Sequence, residues 1–189
     1  MSGLRITGGR LKGRMIALAR NGRTRFTSSK VREAVFDLVG DVEGCSVLDL
    51  FAGAGSFTVE ALSRGATFVT AVEKDSQTAA LLRNNLKALG IDKDCLVLNM
   101  DVRYAVPMLH RQGKSFDLVY VDPPYEMGYI AATVELLRTN PLRHSGSIVV
   151  FEHSKREELL ESPGEGCGIR TRKYGDTVLS IITCGQNKS

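Results

Sequence analysis

The chain reads as an α/β fold: a mostly parallel, seven-stranded sheet with helices on both faces, preceded by a small basic arm. Three observations predict it. Apolar runs of strand length alternate with helix-periodic stretches over most of residues 45–161. The first of these strands runs into a glycine turn, Ala52-Gly53-Ala54-Gly55, that opens a helix. Acidic residues recur at successive strand ends, which in an open parallel sheet gathers them along the carboxyl rim where ligands bind. With 189 residues, the chain has enough material for one domain with a sizeable core and a small appendage.

The arm comes first. Residues 1–32 contain nine basic side chains and no Asp or Glu, leaving 16 of the 25 basic residues against all 21 acidic ones for the rest. A strongly positive arm on a negative body points to a polyanion partner, most simply nucleic acid, because Lys and Arg displace counterions from phosphates. Arg10, Lys12, Arg14, Arg25, Lys30 and Arg32 are the candidate contacts. Residues 4–7 and 14–18 read as short strands around Gly8, Gly9 and Gly13, forming a hairpin. Ser28 is placed to cap a helix whose apolar positions Val31, Ala34, Val35, Leu38 and Val39 form one stripe, anchoring the arm to the body. The boundary between arm (1–40) and body (41–189) is drawn after this helix.

Through the body, strands are expected over 46–51, 68–72, 96–99, 116–121 and 147–152. Helices are expected over 56–63, 76–89, 102–111 (despite Pro107), 130–138 and 155–161. Strands over 169–173 and 178–183 flank Tyr174-Gly175-Asp176-Thr177 and are expected to pair antiparallel at an edge. No apolar run approaches the length of a membrane span, and the basic N-terminus has no signal-peptide core, so a cytoplasmic protein is expected. Cys45, Cys95, Cys167 and Cys184 lack C-x-x-C spacing and His110, His144 and His153 lack ligand spacing; reduced thiols and no metal site are expected.

The rim residues carry the chemistry. Gly53 and Gly55 let a ligand approach the backbone at a helix N-terminus. Position 58 is Thr, so the full dinucleotide fingerprint is not met. Glu73 closes the second strand, 20 residues after Gly53, where a carboxylate can accept both ribose hydroxyls of a nucleoside. Asp101 follows the third strand and can accept an adenine amino group. The fourth strand ends abruptly in Asp122-Pro123-Pro124-Tyr125. The prolines donate no ladder hydrogen bonds, so turn carbonyls stay free to accept; with one carboxylate and an aromatic face, these parts suit a planar base bearing an exocyclic amino group.

Asp49-Leu50-Phe51-Ala52-Gly53-Ala54-Gly55, Glu73, Asp101 and Asp122-Pro123-Pro124-Tyr125 occur in the order found in S-adenosylmethionine-dependent amino-methyltransferases, which they resemble. The segments Arg5-Ile6-Thr7-Gly8-Gly9-Arg10-Leu11-Lys12-Gly13-Arg14, Arg25-Phe26-Thr27, Val31-Arg32-Glu33-Ala34-Val35-Phe36 and Tyr174-Gly175-Asp176-Thr177 further resemble the RsmD family. Phe26 stands where that family usually has proline, and Ala54 where Ser or Thr is common. The resemblance implies a Rossmann-like methyltransferase fold and transfer of a methyl group from S-adenosyl-L-methionine to a guanine N2 amino group in bacterial small-subunit ribosomal RNA, free or within the assembling subunit. It implies that Glu73 binds ribose, Asp101 and Val102 the adenine, and the turn from Asp49 through Phe51 to Gly55 the methionine portion. Asp122 and a Pro123-Pro124 carbonyl would hold the amine, with Tyr125 stacked on the base. The motif by itself accepts adenine as readily, so a DNA adenine-N6 methyltransferase and a non-enzymatic RNA-binding module on this fold stand as alternatives.

Overall fold

The computed structural model describes residues 3–18, 29–157 and 167–184. A two-stranded antiparallel ribbon, β1 (Gly3–Arg5) with β2 (Met15–Ala17), precedes helix α1 (Ser29–Val39). The body alternates β3 (Ser46–Asp49), α2 (Ser56–Ser63), β4 (Phe68–Val72), α3 (Ser76–Leu89), β5 (Cys95–Leu98), α4 (Val102–Arg111), β6 (Phe116–Val121), α5 (Tyr129–Thr139) and β7 (Arg143–Ser154). It closes with the hairpin β8 (Cys167–Tyr174) and β9 (Thr177–Cys184). The seven strands lie in the order β5-β4-β3-β6-β7-β9-β8, parallel from β5 to β7 and antiparallel for the last two. From β3 the chain steps outward to β4 and β5, then returns to place β6 on β3's other side, so a topological switch point lies between β3 and β6.

Alternation along the strands feeds two cores. Val47, Leu118, Tyr120 and Val150 face a cluster shared with α1, α2 and α3, while Leu48, Val119, Val121 and Phe151 face one shared with α4 and α5. Burial on both faces explains why these strands read as continuous apolar runs. On the first face Tyr120 stacks on Phe57 with centroids 3.8 Å apart, and Phe57 on Phe36 at 5.1 Å.

The arm is fastened to the body by more than its helix. Ile6, Leu11 and Ile16 are buried in the α1–α3 cluster. The Thr7 backbone N–H and hydroxyl both donate to Glu60 of α2 (2.9 and 2.7 Å), and the Arg10 N–H donates to the Ser63 carbonyl at 2.7 Å. A Cβ at Gly9 (φ +71°) would lie 1.8 Å from that same carbonyl oxygen, so only glycine permits this approach.

Local departures from the sequence expectations have simple causes. Asp92–Asp94 forms one 3-10 turn before β5, and β7 runs on to Ser154 because antiparallel pairing with β9 continues to Thr177. That extension leaves residues 155–157 as a turn rather than the start of a helix; 158–161 lie outside the described residues, as do the Ser28 cap and Arg25. Cys45 and Cys95 are free thiols, but Cys167 is disulfide-bonded, against the expectation of reduced thiols throughout. Linear spacing gives no C-x-x-C pair from which to read this.

Candidate active site

Asp49 ends β3 with its side chain 1% exposed. The Thr58 hydroxyl donates to its Oδ2 at 2.7 Å, while Oδ1 has no partner. Burial raises its pKa to about 7, only partly offset by the Thr58 and Phe51 hydrogen bonds. The turn that follows keeps strand-like bonds, Leu50 N–H to the Tyr120 carbonyl and Ala52 N–H to that of Val72, and then enters α2 at Gly55. At Gly55 the φ of +94° strains any L side chain, and a Cβ there would also push on Leu82 Cδ1 of α3 at 2.2 Å. Gly53 differs: space is open where its Cβ would be. The two glycines thus serve different ends, one seating α3 and one leaving room above the turn.

Glu73, just past β4, reaches back to this turn. Its Oε2 accepts the Gly53 N–H at 2.9 Å and its Oε1 the Asp75 N–H at 2.7 Å, so the carboxylate is fixed while keeping further lone pairs for hydroxyl donors. The Asn99 amide donates to the Glu73 and Lys74 carbonyls and ties the end of β5 to that of β4. Asp101 caps α4 through the Arg103 N–H and pairs with the Arg103 guanidinium at 2.9 and 3.0 Å, which holds its carboxyl below the ordinary value. Val102 beside it is buried. Phe51 meets Tyr129 edge-on at 5.9 Å, and Lys74 Nζ donates to the Tyr129 hydroxyl at 3.0 Å.

The Asp122-Pro123-Pro124-Tyr125 loop leaves β6 next to this cradle, because β3 and β6 are paired and Asp49 lies opposite Tyr120. Asp122 is partly exposed, Pro123 buried, Pro124 exposed and Tyr125 half-buried. The Asp122 charge reaches Tyr120 and Tyr125, adding to burial in raising both phenol pKa values. The Tyr125 hydroxyl meets Glu152 Oε1 at 3.1 Å and Thr177 Oγ1 at 3.2 Å, while the Tyr120 hydroxyl donates to Glu152 Oε2 at 2.6 Å. Reading the sequence alone assigns no site role to Glu152, or to Thr177 within its Tyr174–Thr177 motif. Yet Glu152 shows the same signature as Asp49 and Glu73, an acid closing an apolar strand.

On the arm, Arg10, Lys12 and Arg14 are exposed beside one another on the hairpin connection, with Arg10 3.6 Å from Asp94, and Lys30 is exposed on α1. Arg32 is the exception and leaves the set of candidate phosphate contacts. It is 0% exposed, its Nε 3.2 Å from Glu60 Oε2 and its Nη2 donating to the Arg5 carbonyl. Its charge stabilises a buried acid instead. Burial alone would raise the Glu60 pKa; the Thr7 donors, Arg64 and Arg32 together hold it below the ordinary value.

Tested as a cradle for S-adenosylmethionine, the rim fits. A nucleoside needs hydroxyl acceptors, which Glu73 supplies in fixed orientation, and room against the backbone, which Gly53 leaves. An ammonium group suits the unpartnered buried Oδ1 of Asp49. Asp101 fits less freely, since Arg103 already occupies both its oxygens. Among the described residues no His, Cys, Asp and Glu cluster is arranged to hold a metal ion, and no helix is long and apolar enough to cross a membrane.

Known proteins point the same way. The chain is 31% identical over 179 residues to a Bacillus subtilis protein named putative rRNA methyltransferase YlbH, covering 94% of this chain and 97% of that one. It is 34% identical over 161 residues to the Escherichia coli K12 protein named ribosomal RNA small subunit methyltransferase D, covering 85% and 79%. The solved structure of a putative methyltransferase, yhhF from Escherichia coli, superposes with a TM-score of 0.85 at 25% identity, over 98% of this chain and all of that one. A family model described as conserved hypothetical protein 95 matches residues 4–183. With nearly its whole length matched, the chain belongs to that family, the RsmD family of methyltransferases.

Proposed function

We propose that this protein transfers a methyl group from S-adenosyl-L-methionine to the exocyclic N2 amino group of a guanine in bacterial small-subunit ribosomal RNA, in the cytoplasm. The observation that carries the reading is the pairing of β3 with β6, which sets the cofactor turn and the Asp122-Pro123-Pro124-Tyr125 loop side by side at the switch point. The names of the Escherichia coli and Bacillus subtilis relatives support ribosomal RNA as substrate, and the exposed cations of the arm suit its phosphates.

When bound, S-adenosylmethionine supplies an electrophilic methyl group on a sulfonium sulfur. The chain's own residues handle the acceptor. A guanine amino nitrogen is a poor nucleophile because its lone pair is delocalised into the ring. Asp122 and a carbonyl of the Pro123-Pro124 turn accept its two N–H bonds, which turns the lone pair out of conjugation and stabilises positive charge as it develops on nitrogen; the nitrogen then gives up one of these protons, to Asp122 or to water. Tyr125 offers the face on which an unstacked base rests, offsetting part of the few kcal/mol that extruding it costs. Glu73 and Asp49 take the ribose and ammonium ends of the cofactor.

The test is incubation with methyl-labelled cofactor and, in parallel, small ribosomal subunits, naked ribosomal RNA and DNA, followed by nucleoside analysis. Label in N2-methylguanosine from ribosomal RNA or subunits is the expected result. Label in N6-methyladenine of DNA, or none in any acceptor, would overturn it.

A further inference from the structure

Glu152 stands outside the catalytic loop, yet the loop is built onto it. Its carboxylate is 3% exposed at the carboxyl end of β7, with one phenol on each oxygen: Tyr120 at 2.6 Å and Tyr125 at 3.1 Å. A phenol has one proton. With the Tyr125 proton on Glu152, the Thr177 hydroxyl 3.2 Å away donates to the Tyr125 oxygen. Thr177 opens β9 directly after the Tyr174-Gly175-Asp176 turn, so two motifs far apart in sequence meet at one hydroxyl. The next loop residue is anchored to the same strand end: Glu126, held at φ +59°, accepts from Ser154 Oγ at 3.1 Å and Arg156 Nη1 at 3.2 Å.

We propose that Glu152 is a positioning residue for the acceptor base: through the Tyr125 hydroxyl it fixes the plane of the ring on which the base stacks. The backbone of Tyr125 follows two prolines and its hydroxyl is pinned at the opposite end, so both ends of the ring axis are fixed. A carboxylate is costly to bury, and a merely structural partner for Tyr120 needs no charge; a second phenol from the catalytic loop explains why an acid stands here. In this reading Glu152 acts on the base through Tyr125 rather than by contact with it. The inference rests on the reading of Tyr125 as the stacking face.

The experiment compares Glu152→Gln, Tyr125→Phe and the double variant. Tyr125→Phe keeps the ring and removes only the hydroxyl, and Gln keeps the shape at 152. Each single variant should lower kcat for RNA methylation about tenfold with the dissociation constant for S-adenosylhomocysteine within about twofold, and the double variant should lose no more than either single, since both break one link. Losses that multiply to about a hundredfold, or a Glu152→Gln enzyme with wild-type kcat, would overturn the proposal. A readout independent of turnover is the order of the Tyr125 ring by NMR relaxation on tyrosine-labelled protein, its signal assigned by its loss in Tyr125→Phe. That order should fall in Glu152→Gln; unchanged order would overturn the positioning role. If the wild-type protein methylates no RNA while Glu152→Gln still lowers the order of the Tyr125 ring, the proposed function is rejected and Glu152 remains the anchor of the ring.

Discussion

At the residue scale, the two halves of the site are separable. Asp122→Ala removes the carboxylate proposed to accept from the amine and should lower methyl transfer by about 10²–10³-fold, as for loss of one preorganised electrostatic contact, while cofactor affinity stays within about threefold. Glu73→Ala should do the reverse, weakening S-adenosylhomocysteine binding in calorimetry by about tenfold or more, the worth of a hydrogen bond to a charged group. An Asp122 variant with near-normal turnover, or a Glu73 variant with unchanged affinity, would remove that residue from its role. Asp49 gives a pH signature. Its pKa is raised from 3.8 to about 7 in the folded state, so between those values the native protein holds a proton that the unfolded chain has released. The stability contributed by that proton is complete below pH ~4 and disappears as pH rises through ~7. The Asp49→Asn variant cannot titrate at this position, so the melting temperature of the wild type should fall relative to that of the variant as pH rises across this window. A difference that stays constant with pH would refute the shift. Asp49, Glu73 and Asp122 are legible in sequence because each closes an apolar strand. Arg32 is misread there because composition counts charges without showing which are buried.

At the scale of elements, α2 and α3 do two jobs. The start of α2 carries the glycine turn, and its end receives the arm at Glu60 and Ser63. From α3, the Asn85 amide donates to the carbonyls of Ala17 in the arm and Ala54 in the turn, at 3.0 and 2.9 Å. Replacing Gly9 by Ala should force the hairpin off the Ser63 carbonyl, since φ +71° and a 1.8 Å approach are both incompatible with a Cβ. The expected outcome is a stability loss of about 1–3 kcal/mol by thermal or urea unfolding, with weaker RNA binding and little change in cofactor affinity. A wild-type unfolding curve would show that the docking contributes nothing. Turn and periodicity signals in the sequence locate the hairpin and its helix. They do not reveal that a glutamate and a serine on the next helix fasten the arm, because those contacts join residues more than fifty positions apart.

At the scale of the whole molecule, the charge division read from the sequence becomes a face. With Arg32 buried, Arg10, Lys12 and Arg14 on the hairpin and Lys30 on α1 are the exposed candidates for phosphate contact among the described residues. Replacing the three on the hairpin by Ala should reduce RNA affinity and flatten the slope of log affinity against log salt by about two to three units, at about 0.7–0.9 for each phosphate the variant no longer neutralises. An unchanged slope would make the arm a solvated surface. The order of β strands is the least legible feature. Alternating strands and helices predict a parallel sheet, but nothing local to residues 46–51 or 116–121 announces that these two strands are neighbours; only the return of the chain across β3 makes them so.

The fastening of the arm to the far end of α2 has a geometric consequence. One helix of eight residues, opened by the glycine turn and holding the hairpin at its other end, joins the arm to the turn that follows β3. If the arm grips RNA phosphates as proposed, the molecule measures the distance from those phosphates to the base it methylates, and an RNA with one nucleotide inserted between the two points should be methylated less well.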